Sequence, residues 1–188
     1  MRKPAKISPQ VIKEWQEHCK VIQQATTINP NESIADKEAR IKRARRDYNF
    51  FTEYYFEHYA KQQNPDGTET VTKNAKFHRD AAVKLKKTRN IKAALKWPRG
   101  HAKSTHLDII TPLWLKFQET PQLRVMVLVG KSQDSAQILL SDVQAELQYN
   151  RRIIHDFGEQ HNHGSWEQGS FITQDNTAFF ALGRGQSP

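Results

Sequence analysis

Apolar positions in the first third of the chain recur every three to four residues. Val11, Trp15, Cys19 and Ile22 form one stripe, which predicts an amphipathic helix. Ser8-Pro9 supplies its start, with serine as N-cap and proline at the first helical position. The stripe fails at Thr26-Thr27, and Asn29-Pro30-Asn31 reads as a turn. A second helical period begins near Ser33 or Asp36 and places Ile41, Ala44, Tyr48, Phe51, Tyr55 and Tyr59 on one face. Asn64-Pro65-Asp66-Gly67 closes it with turn chemistry. A third helix is predicted over 75–87.

The period then changes. Ile91, Ala93, Ala94, Leu95 and Trp97 predict a short buried strand. Leu123-Arg-Val-Met-Val-Leu-Val129 predicts a second, nearly all apolar strand. Continuous apolar runs suit a parallel sheet covered on both faces. Between them, residues 104–117 read as a helix with Leu107, Ile110, Leu113 and Phe117 inward and Pro112 kinking it or ending it early. Ser132 caps a further helix with Ala136, Leu139, Val143 and Leu147 inward. Strand, helix, strand, helix is a βαβ order and implies a right-handed crossover. Residues 171–173 and 178–182 flank Asp175-Asn176-Thr177 and predict a β-hairpin, followed by a loop over 183–188. The fold class is α/β: N-terminal helices over 1–66, then a mostly parallel sheet within 67–188 with a hairpin near the C-terminus.

Charge sharpens this division. The 188 residues carry 29 Lys+Arg and 20 Asp+Glu, a net +9. Residues 1–96 hold 21 basic against 11 acidic side chains, and residues 97–188 hold 8 against 9. The positive balance suits a polyanion, nucleic acid or an anionic membrane surface, and the first half is the half that faces it or another partner. Long helices with solvated Lys/Arg faces are the plainer account of any single basic run. The single cysteine, Cys19, excludes a disulfide framework and a cysteine-rich zinc site and points to a reducing compartment. No apolar run approaches the length of a membrane span, and the polar residues after the basic start do not form a secretory signal.

Residues 97–105, Trp-Pro-Arg-Gly-His-Ala-Lys-Ser-Thr, lie between the predicted strand and helix. A helix start presents free N–H groups and the positive end of the dipole, the setting of a phosphate-binding turn. There Lys103 reaches phosphate as a point charge and the Ser104 hydroxyl ligates Mg²⁺. The strict Gly-x-x-x-x-Gly-Lys-Ser/Thr pattern is not met. Trp97 replaces the first glycine and Ala102 the second, while Gly100 supplies some freedom inside the loop. Arg99 is placed to stabilise charge on a transferring phosphoryl group. A strand–helix connection that happens to begin with Lys-Ser is the competing account.

Pro98-Arg-Gly-His-Ala-Lys-Ser-Thr105 resembles the deviant Walker A motif of the large terminase subunits of tailed bacteriophages, which keep Arg-x-x-x-Lys-Ser/Thr and often lack the first glycine. The likeness extends over roughly residues 40–188. Asp47-Tyr-Asn-Phe-Phe-Thr-Glu-Tyr-Tyr-Phe-Glu-His-Tyr59 resembles the aromatic helix upstream of that ATPase core. Ala75-Lys-Phe-His-Arg-Asp80 is similar to the adenine-contacting motif, where Phe77 and His78 hold the base. Val127-Leu-Val-Gly-Lys-Ser132 is similar to the strand and turn after the P-loop helix. Trp166 with the hairpin and Gly183-Arg184-Gly185 resembles the approach to Walker B.

The resemblance implies an ATP-driven motor that packages double-stranded DNA, built on a P-loop NTPase of the additional-strand type. It implies ATP and Mg²⁺ as cofactors. Gly100, His101, Ala102, Lys103, Ser104 and Thr105 form the cradle, Ser104 meets the metal, and Arg99 and Lys103 act in catalysis. Its partners are a portal protein ring, a small terminase subunit and further copies of the motor on the portal. Its setting is the cytoplasm of a bacterial host. One departure limits the activity expected: no apolar strand ending in Asp follows Lys103 within this sequence, and the nuclease carboxylates are absent too. Without that carboxylate, Mg²⁺ is under-held and no base orients the attacking water. The chain reads as the N-terminal part of the ATPase domain, ending before Walker B, as in an engineered fragment, a split gene or a prophage remnant. It is expected to bind nucleotide at best. A helicase-like ATPase of another branch and a non-enzymatic basic DNA-binding or assembly module are the rival readings.

The remaining constellations are weaker. His155, His161 and His163 with Asp156 and Glu159 read as a solvated loop rather than a metal site. The aromatics of 48–59 could stack bases beside the arginines, but their helical spacing reads as core. Arg40–Arg46 and Lys84–Arg89 are the best candidates for DNA-backbone contact.

Overall fold

The computed structural model describes residues 9–185, apart from the side chains of Pro9, Val11, Ile12, Gln62 and Gln63. The predicted Ser8 cap, the Val11 side chain and the end of the C-terminal loop lie outside the described residues. Helix α1, Pro9–Ala25, carries the expected stripe. Its Trp15 meets Tyr149 edge-on, with ring centroids 5.8 Å apart, and Cys19 and Ile22 bury against Ala145. Burial pushes the Cys19 thiol up to about 11, so it is a packing residue and a poor nucleophile.

The aromatic segment is three helices rather than one: α2 (Ile34–Arg46), α3 (Tyr48–Tyr55) and α4 (Glu57–Ala60). The break follows from Asp47, which sits in extended backbone and accepts the N–H groups of Asn49 and Phe50. A carboxylate that caps a new helix stops the old one. The break lets Tyr48, Phe51, Tyr55 and Phe56 all enter the core. A short hairpin that the apolar pattern does not predict, β1 (Lys61–Gln63) and β2 (Glu69–Val71), follows; its strands are polar and β2 is exposed. Helix α5, Lys76–Lys87, agrees with the expected range.

The predicted strand at 91–97 does not form. The segment is irregular, and Ala93 and Ala94 are exposed. Strand pairing is non-local, and two alanines and two lysines give this stretch little intrinsic β-preference. The next helix does form through Pro112 instead of ending there. Residues 105–110 are π-helical, and the Thr111 N–H bonds to the His106 carbonyl, five residues back, before α6 (Thr111–Lys116) resumes. The widened turn absorbs the missing proline N–H and the clash of its ring with the turn before it.

Four strands make one mixed sheet in the order β3 (Val125–Gly130), β6 (Ala178–Gly183), β5 (Ser170–Ile172), β4 (Trp166–Glu167). Only β3 and β6 are parallel; the other two pairs are antiparallel. The predicted hairpin is therefore present as β5–β6, while the mostly parallel sheet is not. Helices α7 (Gln133–Tyr149) and α8 (Arg151–Phe157) form part of the crossover from β3 back to the sheet. Ser132 caps α7 by accepting the Ser135 N–H at 3.2 Å, as expected. A Cβ at Gly130 would lie 2.9 Å from the Ala136 backbone nitrogen, so this tight strand-to-helix turn requires glycine.

Helix α7 covers the face of β3 and β6 that carries Met126, Phe179 and Ala181. Among the described residues the other face is left partly open. Val125, Val127 and Val129 are 58%, 44% and 65% exposed, in register with Ala178, Phe180 and Leu182. The expectation of a sheet buried on both faces fails here. One core nevertheless joins the N-terminal helices to the sheet: Ala44, Tyr48 and Phe51 share it with Trp114, Leu140 and Phe171.

Candidate functional site

The turn at 97–105 leads into a helix as expected, but the segment before it is irregular rather than a strand. Gly100 adopts φ 78° and Ala102 φ 49°. Ala102, at the position of the second glycine, is thus left-handed, which is why glycine is favoured there. Helix begins at Lys103, and the His106 N–H returns to the Ala102 carbonyl at 3.0 Å. The N–H groups of the first turn have no intrahelical acceptor and face outward with the dipole. Arg99, Gly100, His101, Ala102, Lys103 and Ser104 are exposed, and Thr105 is half-buried.

Phe77 and His78, at the start of α5, lie against this turn although some 20 residues separate them from it. The Phe77 ring packs edge-on against Trp97 at 5.0 Å and lies 5.9 Å from the His101 ring. His78 is buried, and both its nitrogens are used. Nδ1 accepts the Ala75 N–H at 3.2 Å, and Nε2 donates to the His101 carbonyl at 3.0 Å. A donor on one side and an acceptor on the other fix the Nε2–H tautomer. His101 Nδ1 donates to the Arg99 carbonyl at 3.0 Å, which tightens the loop.

Two residues that sequence reading does not single out, His106 and Asp108, complete the surroundings. His106 stacks on His78 with centroids 3.8 Å apart. Its Nδ1 pairs with the Tyr48 hydroxyl at 2.9 Å, and that hydroxyl also meets Thr111 Oγ1 at 3.1 Å. Burial, with His78 adding to it, pushes the His106 imidazole down to about 4, so it is neutral at physiological pH. Burial also lowers His78. Asp108 is half-buried below the turn. Burial raises its carboxyl, opposed by a hydrogen bond from Ser104 and the charge of Lys103. The Ser104–Asp108 spacing of four was the one signal in the sequence that could have found it.

The two basic runs meet in an open cleft of about 530 Å³ lined by Lys42, Arg45 and Arg46 from α2 and Lys86 from α5, with Glu38 and Glu119 at its rim. Several arginines are already engaged. Arg40 grips Asp156 through Nε and Nη2 at 2.9 and 2.7 Å and also pairs with Glu32. Arg43 lies over the Phe50 ring, and Arg45 donates to the Phe117 carbonyl. Lys42 and Arg46 remain exposed. Of the aromatics of 48–59, Tyr48, Phe51, Tyr55 and Phe56 are buried in the core, while Phe50, Tyr54 and Tyr59 are half-buried. His155 bonds Asp156, and His161 packs against His163 and Trp166. Among the described residues no cluster of three or more His, Cys, Asp or Glu could hold a metal ion. No helix among them is long and apolar enough to cross a membrane.

No protein-family model matches the chain, and no curated protein is significantly similar to it.

Proposed function

We propose that the turn at 97–105 binds the triphosphate of ATP and that the chain is the N-terminal part of a terminase large subunit, the ATPase of a double-stranded DNA packaging motor. The observation that carries this reading is the packing of Phe77 and His78 on Trp97 and His101. Two motifs far apart in the sequence, one suited to a base and one to phosphates, form one surface. Lys103 reaches the phosphates, the exposed first-turn N–H groups cradle them, and Phe77, 37% exposed, offers its ring to adenine.

The oxygen of Ser104 fits a Mg²⁺ ion at such a helix start, with the half-buried Asp108 carboxyl one helical turn on and influenced by Ser104 and Lys103. When bound, Mg²⁺ neutralises phosphate charge. Arg99, exposed on the same loop, is the residue assigned to charge on a transferring phosphoryl group. The parallel β3–β6 pair supports the reading to the extent that a P-loop sheet contains parallel strands. Double-stranded DNA, a portal ring, a small subunit and sister copies are the partners of the complete motor, in a bacterial cytoplasm. The exposed Lys42 and Arg46 suit the DNA backbone.

Titration with ATP·Mg²⁺ tests the reading. The wild-type chain binds, Lys103→Ala reduces affinity at least tenfold, a loss of about 1.4 kcal/mol, and the unfolding midpoint does not move, because Lys103 is exposed. Salt-dependent DNA binding with no affinity for ATP would favour the non-enzymatic DNA-binding module instead.

A further inference from the structure

One side chain touches the phosphate-type turn at two places, and the residue just past it at a third, without belonging to it. His78 Nε2 donates to the carbonyl of His101 at the turn's centre. Its ring packs on Trp97, where the turn begins, at 5.1 Å, and stacks on His106, just past the turn's end, at 3.8 Å. On its own helix, Nδ1 accepts the N–H of Ala75, the N-cap residue of α5. This is the role a glutamate or glutamine side chain takes at the third position of a capping box. The ring therefore ties the first turn of α5 to the loop as a rigid strut. With both nitrogens engaged, it has no hydrogen-bonding capacity left for a base.

The loop needs such support. Its first glycine is replaced by Trp97, and Ala102 is held at φ 49°, which costs a non-glycine residue about 1–2 kcal/mol. Strained backbone persists where its surroundings over-determine it. The His78–His101 bond is a constraint from outside the loop, one residue before Ala102. His106, neutral and held by Tyr48, backs the His78 ring on its other side.

We infer that His78 is a positioning residue that holds the 97–105 turn in its anion-receiving conformation through the His101 carbonyl, and is not a contact to the adenine base. The inference rests on the nucleotide reading above and assigns His78 a different part in it.

Two substitutions test the bond to the loop. His78→Asn keeps an acceptor where Nδ1 stands and removes the donor to His101. His78→Gln keeps an amide donor where Nε2 stands. The probes are ATP and inorganic tripolyphosphate, each with Mg²⁺, on the full chain. His78→Asn should weaken both probes by the same factor, about tenfold, the scale of one lost hydrogen bond. His78→Gln should stay within about twofold of wild type for both. Loss of ATP affinity with tripolyphosphate unchanged in His78→Asn would overturn the inference in favour of a base contact. Unchanged binding of both probes would overturn it outright. Should His78→Asn fail to fold, the glutamine variant still decides: loss of tripolyphosphate binding by folded His78→Gln contradicts the strut. If the wild-type chain binds neither probe, the nucleotide reading itself falls.

Discussion

Ala102 and His106 each stand where a neighbouring group sets an unusual state. Ala102 is left-handed within an otherwise exposed loop. Ala102→Gly removes the Cβ clash at some cost in chain entropy, so it should raise stability by up to about 1 kcal/mol, read as a higher urea midpoint. A lower midpoint would mean that the alanine methyl packs usefully. His106 gives a pH signature. Its folded imidazole sits at about 4 against an ordinary 6.5, so the unfolded chain binds the proton more readily. Its contribution is complete above pH 6.5 and falls as the pH drops toward 4, by on the order of 2 kcal/mol at pH 5. His78 acts in the same direction. Urea unfolding of wild type and His106→Asn at pH 7 and pH 5 should show a smaller pH difference in the variant. Lys103, Ser104 and Arg99 are legible in the sequence because their spacing is local. His106 and Asp108 are not, because burial and the meeting of α3 with the π-helical turn define them.

At the scale of elements, helix starts are the best-read features. Ser33 and Ser132 cap as their residue types suggest, because a cap is a bond to an N–H two or three residues on. Asp47 shows the same chemistry, yet it sits inside an apolar period that reads as one continuous helix. The periodicity survives a change of helix axis, so period alone does not reveal the break. Residues 91–97 fail for the opposite reason: an apolar run becomes a strand only where an edge accepts it. Asn150, between α7 and α8, tests how the elements are joined. Fully buried, it donates to the Tyr55 carbonyl at 2.7 Å and to Glu146 at 2.8 Å, and caps α8 by accepting the Ile153 N–H at 3.1 Å. Asn150→Ala leaves these groups unpaired and should cost about 2–4 kcal/mol in chemical denaturation. A cost below 1 kcal/mol would show that water replaces the amide.

The whole molecule joins a basic helical half to a small mixed sheet through one aromatic core. The α/β class is legible from the apolar run that becomes β3 and from the C-terminal hairpin, whereas the change of period near residue 90 yields no strand. The mixed strand order is not legible, because pairing depends on which edges meet rather than on the content of any one run. The partly open valine face of β3 and the open cleft between α2 and α5 lie outside the 97–105 turn, and the three surfaces differ in chemistry: apolar, broadly basic, and a loop with a helix start. Amide and aromatic chemical shifts followed by NMR during an ATP·Mg²⁺ titration therefore test the central claim most directly. The account predicts saturable shifts at the amides of 100–105 and at the Phe77 ring, lost in Lys103→Ala. Shifts confined to residues lining the Lys42, Arg46 and Lys86 cleft, unaffected by that substitution, would contradict it.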